Sequence, residues 1–153
     1  MRPTWDDYFM KIAEDVSIMS TCLSRRVGAV AVKDKRILAT GFNGAPSRVG
    51  HCEDIGGCIR KARGAKSGEM LDICRAVHAE ENVINQAAKH GISLEGATLY
   101  VNTKPCMMCE KHIINSGIKR VVYGGDYPSA SGLEMFKEAG VEVERYIEHC
   151  DKS

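Results

Sequence analysis

The sequence contains no long hydrophobic run. Its longest apolar stretch, broken only by Gly28, lies within Val27-Gly28-Ala29-Val30-Ala31-Val32 and falls far short of the ~20 residues a helix needs to cross a bilayer. Net charge is nearly absent as well: 21 Lys and Arg against 20 Asp and Glu leave +1, which argues against a generic polyanion binder. No hydrophobic signal segment follows Met1, and there is no internal repeat, low-complexity tract or interdomain linker. The expectation is one compact domain, residues 1–153, long enough to bury a core.

What is plentiful is cysteine. Seven is an odd count, the chain is long for a disulfide scaffold and no secretion signal is seen, so the expected setting is the cytoplasm, with thiolates bound to metal. The balanced charge is unevenly spread. Residues 23–66 hold ten Lys and Arg against three acids, whereas residues 134–151 hold six acids against Lys137 and Arg145. A long nucleic acid would be repelled from that second end.

Periodicity lays out the elements. Thr4 can cap a helix whose first turn carries Asp6 and Asp7. Trp5, Tyr8, Phe9, Ile12, Ala13, Val16 and Met19 then recur at helical spacing, which predicts an amphipathic helix ending near Cys22. Residues 27–33 and 36–42 read as two strands of a hairpin, followed by a loop over 41–46. Residues 47–73 have little periodicity and need another source of order, which a metal would supply. A helix starts at His78 with Gly91 as its stop; strands are predicted over 97–101, 120–123 and 141–146, and helices over 106–116 and 133–139. Five strands interleaved with four helices give a three-layer α/β/α fold on a central five-stranded mixed sheet. Cys150 and the residues after it read as a short tail.

Chemistry concentrates in two segments, His78-Ala79-Glu80 and Pro105-Cys106-Met107-Met108-Cys109. One imidazole and two thiolates suit zinc, and the fourth position left open is the mark of a catalytic rather than a structural site. Residues two apart on an α-helix point about 200° apart, so His78 and Glu80 address one metal only if His78 sits at the N-cap or in the first turn. Pro105 suits a first helical turn, which puts Cys106 and Cys109 one turn apart on one face. The positive ends of two helices then meet at the metal and favour thiolate over thiol. Zinc in such a site brings the pKa of water to about 7. Glu80 would take the proton, pass it to a ring nitrogen and later protonate the departing amine. Alone, C-x-x-C is often half a zinc finger and a helical histidine is usually a core residue; on two predicted helix starts, with Glu80 and Pro105, they specify a catalytic zinc.

The pattern H-x-E…P-C-x-x-C is similar to the signature of the zinc nucleobase deaminases. Over residues 5–143 the chain resembles the deoxycytidylate (dCMP) deaminases of the cytidine-deaminase-like superfamily. The likeness rests on four segments. They are Cys22-Leu23-Ser24-Arg25-Arg26-Val27-Gly28-Ala29-Val30, Gly41-Phe42-Asn43-Gly44-Ala45-Pro46, Cys74-Arg75-Ala76-Val77-His78-Ala79-Glu80 and Thr103-Lys104-Pro105-Cys106-Met107-Met108-Cys109. The resemblance implies hydrolysis of dCMP to dUMP and ammonia, with Asn43 hydrogen-bonding the nucleoside and the backbone of Ala79 contacting the base. Arg26, with Arg25 and Ser24 as lesser candidates, would hold the phosphate, because a guanidinium fork suits it. Some relatives carry a second, structural zinc, for which Cys22, Cys52, Cys58 and Cys74 would serve, His51 standing in for Cys52. The family also implies a homo-oligomer, usually a hexamer, with dCTP and dTTP effectors and Mg²⁺ accompanying the triphosphate. Here Gln86 and Lys89 stand where allosteric relatives carry an aromatic and an arginine, and Val83 replaces a common alanine, so regulation follows less directly than the chemistry. The competing readings are a deaminase of cytidine, cytosine or guanine, a tRNA- or DNA-editing deaminase, and a zinc-stabilised interaction module.

Overall fold

A computed structural model describes residues 2–125 and 132–149; the expected tail from Cys150 lies outside the described residues. Thr4 opens helix α1 (Trp5–Ser17) with a reciprocal cap: its Oγ1 accepts from the Asp7 N–H at 3.1 Å, and the Asp7 carboxylate accepts from the Thr4 N–H at 3.0 Å. The helix stops at Ser17 rather than near Cys22. The reason lies further along, because Ser20 and Thr21 are engaged by the backbone of Asn43, which pulls the chain out of helical register.

Strands β1 (Gly28–Lys33) and β2 (Arg36–Phe42) form the expected hairpin. Asp34 and Lys35 both adopt positive φ, 51° and 61°, as a two-residue hairpin turn of type I′ requires. Strands β3 (Thr98–Val101), β4 (Arg120–Tyr123) and β5 (Glu142–Arg145) complete a sheet of order β2-β1-β3-β4-β5. The β2-β1 and β1-β3 pairs are antiparallel and the β3-β4 and β4-β5 pairs parallel, so the sheet is mixed as expected.

Side-chain alternation along β1 divides the core. Val30 and Val32 face α1, joining Phe9, Met10, Ala13, Tyr100 and Val122. Ala29 and Ala31 face the other way, toward α3 (Ala79–His90), α4 (Met107–Asn115) and α5 (Glu134–Glu138), where Val83, Ile113 and Phe136 are buried. The three-layer expectation is met. Close approach of α1 depends on Gly28, where a Cβ would stand 2.1 Å from the Ala13 carbonyl oxygen. Strand β2 is an edge, and α3 blunts it: Thr40 N–H donates to Gln86 Oε1 at 2.8 Å and Asn82 Nδ2 donates to the Phe42 carbonyl at 2.7 Å.

The excursion over 47–73 holds a short helix, α2 (Ile59–Ala62), and a 3-10 turn, Leu71–Ile73. Local backbone turns order it, and arginine side chains bonding backbone carbonyls staple those turns together. Arg60 donates to Glu69 O at 2.7 Å and Lys66 O at 3.3 Å, and Arg75 donates to Gly50 O at 2.9 Å. Among the described residues no helix is long and apolar enough to cross a membrane.

Candidate active site

Two helices begin at one place, and each begins on a residue the sequence singled out. His78 is the N-cap of α3, with φ −69° and ψ 154°, and Cys106 is the N-cap of α4, with φ −75° and ψ 165°. Extended backbone at the cap sends each side chain out of the helix and resolves the angular conflict between His78 and Glu80. Pro105 therefore sits just before α4 rather than in its first turn, and Cys106 and Cys109 are related as N-cap to third helical residue, a spacing that brings side chains together. The His78 N–H donates to the Glu81 carboxylate at 3.2 Å, which fixes the start of α3.

His78 Nδ1 lies 3.3 Å from Cys109 Sγ and 3.5 Å from Cys106 Sγ, and the three atoms all lie within 4.8 Å of one another. Bond lengths of about 2.3 Å to sulfur and 2.05 Å to nitrogen at a tetrahedral angle put those donors about 3.6 Å apart, so the set fits zinc. It is the only such group of three His, Cys, Asp or Glu ligand atoms among the described residues.

The electrostatics also suit a cation. A hydrogen bond from the Cys109 thiol brings Cys106 down to about 4 despite burial, with His78 and the Cys109 backbone helping. The Cys106 sulfur and burial hold the Cys109 thiol far above its ordinary range, and the bond to Cys106 raises His78. Glu80, 3% exposed, is pushed by burial up to about 7, opposed by its own backbone N–H and by His78. A buried carboxylate beside a sulfur pair calls for a positive charge.

Gly41 controls how near this machinery comes to the sheet. A Cβ there would stand 2.4 Å from Ala79 O and 2.7 Å from Val83 N, both backbone atoms of the first turns of α3. Gly41→Ala must push that end of the helix outward. The expected result is a loss of about 1–3 kcal/mol in urea unfolding, with zinc per chain reduced by metal analysis.

A cavity of about 1020 Å³ opens over His78, Glu80 and Cys106. Ala79 and Asn43 line it, and a two-way backbone bridge between Gly44 and Val77, at 2.8 and 3.2 Å, ties the Asn43 loop to the approach to His78. The Asn43 amide is largely committed to holding the loop before β1. Its Oδ1 accepts from Val27 N–H at 2.9 Å and from the Ser20 hydroxyl, and Nδ2 donates to Arg25 O at 2.8 Å. One amide hydrogen of Asn43 takes no part in these bonds.

Of the three residues expected at a phosphate, Ser24 and Arg25 line the cavity; Arg26 is not on its wall and donates to Ile18 O at 3.4 Å. Cys22, Cys58 and Cys74 also line it, and all three act electrostatically on Cys52, whose thiol is raised chiefly by burial. Their sulfurs do not form a group within 4.8 Å, and His51 is exposed, with its N–H donating to Asp54 at 2.8 Å. Among the wall residues to which the sequence assigns no role are Thr103 and Lys104, directly before Pro105.

Comparison with known proteins agrees with this geometry. Residues 3–125 match the family model described as cytidine and deoxycytidylate deaminase zinc-binding region. The chain is 40% identical over 147 residues to the deoxycytidylate deaminase of Schizosaccharomyces pombe, covering 95% of this chain and 45% of that protein, so it spans under half the length of that relative. It is 43% identical over 127 residues to the deoxycytidylate deaminase of Mycobacterium phage D29, covering 80% of this chain and 95% of the relative. The crystal structure of dCMP deaminase from cyanophage S-TIM5 in complex with dCMP and dUMP superposes with a TM-score of 0.77 at 33% identity, covering 95% of this chain and 99% of that one. With its ligand trio, its buried glutamate and these matches, the chain belongs to the cytidine and deoxycytidylate deaminase zinc-binding family.

Proposed function

We propose that this protein hydrolyses dCMP to dUMP and ammonia. The observation that carries the reading is the burial of Glu80 two residues after His78, beside a donor trio that fits zinc and on the floor of a cavity large enough for a nucleotide. Zinc held by His78, Cys106 and Cys109 supplies the Lewis acid that makes water a nucleophile at neutral pH.

The chain's own groups do the rest. The Glu80 carboxylate removes a proton from the attacking water and delivers it to the ring nitrogen next to the amino-bearing carbon; it then takes the proton of the hydroxyl now on that carbon and passes it to the amine as the C–N bond breaks and the carbonyl forms. Water adds an oxygen to that carbon, ammonia leaves, and the ring becomes uracil. Ala79 backbone on the cavity wall supports contact with the base, and the remaining amide hydrogen of Asn43 supports contact with the nucleoside. Ser24 and Arg25, the wall residues among the three nominated for phosphate, support a nucleotide over a free nucleoside.

The relatives named deoxycytidylate deaminase support the same substrate. A structural zinc among Cys22, Cys52, Cys58 and Cys74 is carried into this reading by the family resemblance, with Cys22, Cys58 and Cys74 sharing the cavity wall. Homo-oligomer assembly and control by dCTP and dTTP are carried in by the family alone.

The test is steady-state turnover of dCMP beside deoxycytidine, cytosine, guanine and a cytosine-containing oligonucleotide. The expected result is a kcat/KM for dCMP roughly a hundredfold or more above the others. Equal rates on dCMP and deoxycytidine would remove the phosphate from the reading.

A further inference from the structure

Glu110 is a buried carboxylate that the deamination chemistry leaves without a task. It follows Cys109 on α4 and is 1% exposed. Successive helical residues point about 100° apart, so with Cys109 at the metal ligands Glu110 is turned elsewhere in the core. Its N–H donates to Cys106 O at 2.9 Å, closing the turn that carries both sulfur ligands. Its side chain reaches another helix: Oε1 accepts from the Phe136 N–H at 2.9 Å, across 26 positions of chain. A carboxylate costs more to bury than an apolar side chain of its size, so the bond it makes there is the feature to explain.

That bond supplies what α5 lacks. The first N–H groups of a helix have no partner within it, and a Ser, Thr, Asp or Asn at the N-cap usually answers them. Here the N-cap is Leu133, which has no side-chain acceptor. Two carboxylates stand in for it. Glu134 accepts from the Gly132 N–H at 2.9 Å and is held below its ordinary range by its own N–H and those of Gly132 and Leu133, with the Lys104 charge helping. Glu110 takes the Phe136 N–H from the neighbouring helix. Gly132 is on the cavity wall, and a Cβ on it would stand 3.6 Å from Lys104 Nζ. Residues 104–110, which carry Cys106 and Cys109, therefore meet residues 132–136 at both ends, Lys104 beside Gly132 and Glu110 at Phe136.

We propose that Glu110 is a positioning residue of the active site. By holding Phe136 it seats the start of α5, and with it the Gly132 stretch of the cavity wall, against the segment that carries the metal ligands; Glu134 holds the same stretch from the surface. This rests on the deaminase reading and deepens it. Glu110 does not line the cavity, so it acts through Phe136 and Gly132 on how well substrate is held, not on the proton transfers of Glu80. Removing its acceptor oxygen leaves the Phe136 N–H unsatisfied in the core, the seated wall becomes a smaller fraction of the population, and apparent affinity falls with that fraction.

The test measures kcat and KM for dCMP, with zinc per chain, in the wild type, Glu110→Met, Glu110→Gln and Glu134→Ala. Met matches the length of Glu without an acceptor oxygen, and Gln keeps one. Glu110→Met is expected to raise KM about 5- to 30-fold with kcat within about threefold and zinc unchanged, and Glu110→Gln to stay within about threefold of wild type in both constants. Glu134→Ala is expected to raise KM about 2- to 5-fold, again with zinc unchanged. A folded Glu110→Met with wild-type KM overturns the assignment, as does a fall in kcat with KM unmoved, or a Glu110→Gln that does not restore KM. If Glu110→Met does not fold, Glu134→Ala decides, because that exposed position reaches the same wall without entering the core, and a wild-type KM there overturns the seating role. A wild type that deaminates another ring in preference to dCMP overturns the dCMP reading alone, and the same comparison on that substrate decides the role of Glu110.

Discussion

Glu80→Gln leaves a folded, zinc-loaded protein that deaminates about two to four orders of magnitude more slowly, the range a positioned general acid–base group contributes. The substitution keeps the shape of a side chain that is 3% exposed and removes only its ability to accept and return a proton. Single-turnover rates and zinc per chain, measured on the same sample, check it; normal turnover in the variant would end the mechanism.

The same variant has a signature in stability. Without zinc, burial holds Glu80 near 7 rather than 4.5. Between those values the folded chain keeps a proton that the unfolded chain has lost, so the contribution of Glu80 to stability is greatest below about 4.5 and falls as pH rises through about 7. The full difference is on the order of 3 kcal/mol. Zinc-free Glu80→Gln should therefore gain on zinc-free wild type as pH rises across that window, by urea unfolding at each pH. Cys106 runs the other way, its lowered pKa favouring the folded state increasingly as pH rises from about 4, and it is present in both proteins compared. Zinc reverses the penalty on Glu80, because a cation beside the carboxylate favours its ionised form.

Cys109→Ser is expected to abolish turnover altogether, with the zinc content falling by one per chain. Cys109 is fully buried, its sulfur is 3.3 Å from His78 Nδ1, and its thiol is held far above the ordinary range until a metal displaces the proton. A serine oxygen there is a poorer partner for zinc and leaves Glu80 buried without a compensating charge. Stripping wild type with a chelator should give the same loss, reversed by adding zinc back, whereas zinc should not rescue the variant. Because metal binding and folding are coupled, both metal-free forms should also melt at lower temperature than the loaded protein. A variant that keeps stoichiometric zinc and normal turnover would remove Cys109 from the ligand set.

Local physics made much of this protein legible in its sequence. Helix and strand identity followed from side-chain period, and Asp34-Lys35 marked the hairpin. The ligand set followed because imidazole, thiolate and a nearby glutamate have few other joint uses, and the demand that His78 start a helix followed from geometry alone. The tertiary structure decided which surfaces share a cavity. The family resemblance implies Asn43 as a substrate ligand, but most of its amide holds residues 20–27, through bonds that span up to 23 positions of chain. Arg25 and Arg26 are neighbours with the same chemistry in sequence, and only the packed chain puts one on the cavity wall and turns the other toward Ile18. Lys104 stands beside the cysteine motif in sequence, and only the packed chain puts it on the same cavity wall as Arg25, 79 residues away. Reaction chemistry is a property of residue types at short spacing, which a sequence displays; selectivity is a property of distances between remote residues, which exist only once the sheet has formed.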